Sequence, residues 1–148
     1  MRIHIASDHA GYQAKATLIE HLSLAGHELV DHGTNSEESC DYPDFCISAA
    51  KAVANDSDSL GIVLGGSGNG EQIAANKVVG VRAALAWSVD TAKLAREHNN
   101  ANVVGIGARM HDENTLKEIA QTFIETQFPG DERHVRRISQ ITEFESTR

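Results

Sequence analysis

The feature that most restricts the fold is the run Leu60–Leu64 (LGIVL), which leads without a break into Gly65-Gly66-Ser67-Gly68-Asn69-Gly70. An apolar run with no alternation suits a strand covered on both faces. Such a strand needs helices above and below it, and the flanking sequence supplies them. Arg2–Ala6 alternates as a strand and ends at the polar Ser7-Asp8-His9. Tyr12–Leu24 then carries Ala14, Leu18 and Leu22 at helical spacing, with Gly26 as a stop signal.

The alternation continues to the end of the chain. Glu28–Asp31 reads as a short second strand, and Pro43 suits the first turn of a helix through Ile47, Ala50 and Val53. After the glycine run come a short helix over Glu71–Lys77 and a strand over Val81–Ala86. Ser88 can cap a helix from Val89 to His98, with Asp90 and Thr91 in its first turn. Asn102–Ile106 is a fifth strand, and Asp112 or Glu113 opens a helix through Leu116, Ile119, Ala120 and Phe123. Pro129-Gly130 breaks it before an amphipathic helix from about Asp131 to Phe144. Strands alternating with helices predict a single α/β domain over residues 1–148, with a parallel sheet between helix layers. Right-handed crossovers then place ligands at the carboxyl ends of the strands. The loops Ser7–Gly11, Gly65–Gly70 and Gly107–Met110 are expected there.

Charge and cysteine content narrow the function. Thirteen basic against twenty-one acidic residues leave a net charge of −8, which disfavours nucleic acid and anionic membranes as partners. No apolar run approaches the ~20 residues of a membrane span. The start MRIHIASDHAG has no long apolar stretch of the signal-peptide kind, so the expectation is a cytoplasmic protein. Cys40 and Cys46 form no CxxC and have no second pair, so neither a zinc site nor a disulfide framework is expected.

The chemistry gathers at a few places. Four glycines in six residues let backbone N–H groups approach an anion or a developing oxyanion. The loop is not a phosphate-binding Walker loop, since no Lys-Ser/Thr pair closes it, and Glu71 stands where a dinucleotide fingerprint would have its third glycine. Glu71 beside such a loop supplies the two parts needed to remove a proton next to a carbonyl, a base and a cradle for the enediolate. It could equally be a dipole complement in a first helical turn. Asp8-His9 ends the first strand, and His98-Asn99-Asn100 ends the fourth helix. Arg133, His134 and Arg137 share one face of the last helix, an arrangement suited to a small phosphate, which Arg109 could join from its loop. A solvated face paired with Glu132 or Glu143 is the plainer alternative.

SDHAGY (7–12), DYPDF (41–45), GGSGNGEQIAANK (65–77), REHNNAN (96–102) and GIGARM (105–110) resemble ribose-5-phosphate isomerases of type B. The resemblance covers nearly the whole chain. It implies an α/β/α sandwich around a five-stranded parallel, Rossmann-like sheet in the order 2-1-3-5-4. It implies a homodimer with two active sites at the interface, each built from both chains, and no metal or organic cofactor. It leaves open whether dimers pair into tetramers. By motif position, Asp8 and His9 would bind the sugar, with Tyr42 and Pro43 lining the pocket. The amides of Gly66, Ser67, Gly68, Asn69 and Gly70 would hold the enediolate end. Asn99 would hold sugar oxygens, and His98 would donate the proton that opens the furanose. Arg109, Arg133 and Arg137 would grip the phosphate, with His134 adjacent.

One departure from the family pattern assigns the base. Many members carry a cysteine where this chain has Gly65. The sequence instead resembles the actinobacterial-type branch, in which the glutamate after the loop takes that role. Glu71 is then the base, and Cys40 and Cys46 are not catalytic. The expected reaction interconverts ribose 5-phosphate and ribulose 5-phosphate through a cis-enediolate, a step of the non-oxidative pentose phosphate pathway. Similar proteins isomerise tetrulose 4-phosphates, allose 6-phosphate or galactose 6-phosphate with the same base and cradle. A non-catalytic phosphosugar sensor on the same fold is the reading of a different class.

Overall fold

Every residue of strand β3 (Ser59–Gly65) is buried, as its unbroken apolar run requires, and the rest of the fold is arranged around it. The computed structural model describes residues Met1–Arg148. Along the chain come β1 (Arg2–Ser7), α1 (Tyr12–Leu24), β2 (Glu28–Asp31), α2 (Tyr42–Ala54), β3, α3 (Asn69–Ala75) and β4 (Ala83–Leu85). There follow α4 (Val89–Asn99), β5 (Val103–Gly107), α5 (Glu113–Glu125) and α6 (Glu132–Glu145). The sheet is parallel throughout, in the order β2-β1-β3-β5-β4, which is the expected one.

Alternation along the central strands divides the core in two. Ile62, Leu64, Val104 and Ile106 join Ile3, Ile5, Leu18, Leu22, Ile119 and Phe123 beneath α1, α4 and α5. Val63 and Val103 face the other way, onto Cys46, Ala49, Ala50 and Val53 of α2 and Ala74 and Ala75 of α3. Small residues dominate this second layer, so α2 and α3 lie close to the sheet. Ser88 caps α4 as expected, in a capping box with Thr91: the Thr91 N–H donates to Ser88 Oγ at 3.1 Å.

Two elements differ from the sequence reading by more than one residue. The fourth strand pairs only over Ala83–Leu85, because it is an edge strand with β5 on one side and no strand on the other. Asn76 supplies its missing partner: Oδ1 accepts from Ala83 N and Nδ2 donates to Ala83 O, both at 2.8 Å. The third helix begins at Asn69, inside the glycine run, because Gly68 takes a left-handed conformation (φ 83°) and serves as its N-cap. A Cβ at Gly68 would lie 2.9 Å from Ile106 C and Leu85 Cδ1, so the turn needs glycine for space as well as for φ.

Direction matters for the site. Each strand ends at the carboxyl edge of the sheet, and each following helix returns to the amino edge. The Ser7–Gly11, Gly65–Gly70 and Gly107–Met110 loops therefore lie together at one edge. The last turn of α4 lies at the other, where Asn102 O accepts from Gly61 N at 2.9 Å. At about 3.3 Å per residue, the seven residues of β3 separate the two edges by roughly 20 Å.

Candidate active site

Glu71 sits in the first turn of α3, with its side chain turned back under the glycine loop. It is only 4% exposed. A Cβ built at Gly65 would collide with its carboxylate, so the absence of a side chain at 65 is what admits this carboxylate. Burial pushes the Glu71 carboxyl above its ordinary range, and the nearby Asp8 charge adds to the shift, while its own backbone N–H opposes it. The N–H groups of Ser67, Gly68 and Gly70 meet no acceptor within the chain. A buried carboxylate beside free amides can take a proton from carbon and leave the charge on an oxygen held by those amides.

The neighbouring loops complete this edge. Asp8 is buried at the end of β1, and its Oδ1 accepts from Gly11 N at 3.1 Å. Cys40 N donates to His9 Nδ1 at 3.2 Å, which leaves Nε2 to carry the proton of the neutral ring. Tyr42 lies against Gly70, where a Cβ would stand 2.5 Å from Cζ and Oη. Arg109 is tied to the loop through its N–H, which donates to Gly66 O at 3.1 Å. Its Nη1 lies 3.5 Å from a Cβ position on Gly66, placing the guanidinium over the loop. Asp8, His9, Tyr42, Gly66–Gly70, Glu71 and Arg109 are thus assembled at one place.

His98, Asn99, Arg133, His134 and Arg137 are assembled at the other edge. The rings of His98 and His134 stack with centroids 4.4 Å apart and planes 17° from parallel. That contact docks the start of α6 on the end of α4. His134 is buried and its Nε2 has no partner, while Arg133 and Arg137 are exposed on either side of it. Burial lowers the pKa of His134, and His98 and the two arginines add to the effect. The three α6 residues do not form one solvent-facing patch, because His134 turns inward. Nor does Arg109 join them within the chain, since it stands at the opposite edge.

Cys46, expected from the sequence not to be catalytic, lies behind the site. Its thiol is fully buried in α2, and burial, with smaller contributions from Glu71 and Asp8, pushes its pKa up. It stays a neutral thiol, forming part of the low-dielectric wall behind both carboxylates. Sequence reasoning assigns Arg82 no role, and Arg96 none beyond its place in the REHNNAN motif. Apart from the Asn100 side-chain oxygen, their partners are backbone carbonyls, which leave no mark in a sequence. No group of three or more His, Cys, Asp or Glu side chains is gathered as metal ligands. No helix is long and apolar enough to cross a membrane.

The chain is similar to known proteins over nearly its whole length. Residues 3–141 match the family model described as Ribose/Galactose Isomerase. The ribose-5-phosphate isomerase B of Mycobacterium leprae is 56% identical over 148 residues, covering 99% of this chain and 91% of the relative. The solved structure of the Clostridium thermocellum ribose-5-phosphate isomerase B superposes with a TM-score of 0.95 at 41% identity, covering 99% of both chains. That of the Mycoplasma genitalium enzyme, with bound ribulose-5-phosphate, gives 0.94 at 43% identity, covering 98% of this chain and 96% of the other.

Proposed function

The chain belongs to the ribose/galactose isomerase family, and from that premise we propose that it interconverts ribose 5-phosphate and ribulose 5-phosphate at a site completed by a second copy of itself. The observation that carries the chemistry is the Glu71 carboxylate, buried beneath the glycine loop in the space of the absent side chain at Gly65. The substrate reading draws on the ribose-5-phosphate isomerase B relatives and on the ribulose-5-phosphate bound to one of them.

The separation of the two residue groups supports the second copy. His98 and Asn99 lie the length of the sheet away from Glu71, farther than a pentose phosphate reaches from one set of side chains to the other. Helix α6 also exposes Val135, Ile141 and Phe144, an apolar stripe without a partner in its own chain. In a two-fold dimer, the amino edge of each subunit meets the carboxyl edge of its partner, burying that stripe and forming two equivalent sites.

In this site Arg109 of one chain and Arg133 and Arg137 of the other hold the phosphate dianion. His98 gives a proton to the furanose ring oxygen while Asp8 takes the proton of the C1 hydroxyl, and the ring opens to the aldehyde. Glu71 then removes the proton from C2. The electron pair left behind forms the C1–C2 double bond, and the charge passes to O1 against the amides of Ser67, Gly68 and Gly70. Protonated Glu71 delivers its proton to C1, the O2 proton moves to O1, and a carbonyl remains at C2. Each well-placed amide is typically worth about 3 kcal/mol in such a step.

The assay that tests this reading compares ribose 5-phosphate with four-carbon and six-carbon aldose phosphates on the purified protein. Turnover of the pentose above the others supports it. Turnover of another sugar with the pentose inert keeps the base and cradle but overturns the substrate. Binding without turnover of any of them turns the protein into a sensor.

A further inference from the structure

Arg82 and Arg96 are the two arginines whose guanidiniums bond to main-chain carbonyls and not to carboxylates. Neither takes part in an ion pair. Both are partly buried. Arg82, at the approach to β4, donates from Nε to Asn99 O at 3.0 Å and from Nη2 to Asn100 O at 2.9 Å. Arg96, in the last turns of α4, donates from Nη1 to Asn100 Oδ1 at 3.0 Å and to Ala101 O at 2.5 Å. Its Nε reaches across to Thr126 O at 3.2 Å, where α5 ends, and its guanidinium lies 5.7 Å from the centroid of the Phe123 ring. Four bonds thus converge on the three residues Asn99-Asn100-Ala101.

This is more than the end of a helix requires. Asn100 already closes α4 in the left-handed conformation (φ 42°), donating its N–H to Arg96 O at 3.1 Å. Two partly desolvated guanidiniums near one another, neither in an ion pair and only Arg82 feeling a carboxylate, that of Glu145, are electrostatically unfavourable. Burial lowers the pKa of each, and the charge of Arg82 lowers that of Arg96 further. The carbonyls at the negative end of α4 offset that cost. The segment they grip directly follows His98 and includes Asn99, the two residues that must reach into another subunit, and within the chain only the His134 stack steadies the His98 ring from the other side.

We propose that Arg82 and Arg96 are positioning residues for the isomerisation: they lock the α4 tip so that His98 and Asn99 enter the partner's half-site in one orientation. This rests on the composite site proposed above. Neither arginine touches substrate. Their forks fix carbonyl directions, and through them the backbone from which the two functional side chains project. A displacement of about 1 Å at such a tip can cost on the order of 100-fold in rate.

The test uses the full-length protein with Arg82→Met, Arg96→Met and Arg96→Lys. For each we would measure kcat and KM for ribose 5-phosphate, inhibition by inorganic phosphate, and the thermal midpoint. The expected result is a kcat lowered by about 10- to 100-fold in both methionine variants. KM and phosphate inhibition stay close to wild type, because Arg109, Arg133 and Arg137 are untouched. Arg96→Lys recovers part of the loss, since an ammonium can reach one carbonyl but not span three acceptors. An unchanged kcat in the methionine variants overturns the proposal. So does a loss of kcat that merely follows a lowered thermal midpoint, with Arg96→Lys no better than Arg96→Met. A wild-type protein inert towards every phosphosugar would instead overturn the functional assignment, before any variant is compared.

Discussion

The Glu71 carboxylate occupies the volume that any side chain at Gly65 would need. The two positions are coupled through space although five residues separate them in the chain. Gly65→Ala is therefore predicted to displace Glu71 from beneath the loop and to lower kcat by about 100-fold or more. The displacement also costs stability, and that cost should vanish when Gly65→Ala is made in a Glu71→Ala background. Thermal midpoints of the two single variants and the double variant measure this coupling directly. Additive effects would mean that the carboxylate does not lie where the structure places it.

Burial raises the Glu71 carboxyl above its ordinary range, so the folded protein holds that proton more tightly than the unfolded chain does. The stabilisation this gives is complete below the unfolded pKa and is lost as pH rises through the folded value. At neutral pH the ionised carboxylate is a net cost to the fold. Glu71→Gln should accordingly raise the thermal midpoint at neutral pH, and the difference should shrink towards about pH 4. Turnover runs the other way: it needs the carboxylate, so the acid limb of the pH–kcat profile lies above the ordinary carboxylate range.

The split between the two edges of the sheet predicts complementation. Glu71→Gln and His98→Asn should each be nearly inactive alone. Coexpressed, they form mixed dimers in which one site carries both substitutions and the other carries neither. About one quarter of wild-type activity should return. No recovery would mean that the two residues act in the same subunit or in different reactions.

Lys15 sets a stability prediction away from the site. Its side chain is buried to 2% exposure, and its Nζ donates to both oxygens of Asp31 at 2.6 and 2.7 Å. Asp31 also accepts from Gly33 N at 2.9 Å. Asp31→Asn leaves the ammonium buried without its counterion. Because Asp31 itself is partly solvated, the cost should be about 2 kcal/mol, below that of a fully buried pair. For a chain of this size that is a fall of roughly 4–8 °C in the thermal midpoint. Lys15→Met should cost less, since Asp31 can be hydrated.

The elements were legible where periodicity was strong. Tyr12–Leu24 and Glu28–Asp31 are a helix and a strand as the sequence reads. The glycine run hides the first two residues of α3, because Gly70, which looks like loop, lies inside the helix once Gly68 takes the left-handed turn. The edge strand is shorter than its apolar run, since Val81 is buried by packing ahead of the strand and Ala86 adds only one further bond, its N–H to Gly105 O, beyond the ladder. The candidate residues were all visible by type and motif. Their division between two edges follows from the direction of α4 alone, but the inward turn of His134 does not: it depends on the stack with His98, and no local pattern encodes that contact. The roles of Arg82 and Arg96 were not legible because most of their partners are main-chain atoms.

The central claim is that Glu71 moves the proton between C2 and C1. The most direct measurement is ribose 5-phosphate turnover by wild type and Glu71→Gln, with binding of the sugar phosphate measured on the same samples. A general base of this kind is worth on the order of 100- to 10,000-fold, so the variant should bind as wild type does and lose that much in kcat. Turnover within a few-fold of wild type, or binding lost in step with turnover, would contradict the account.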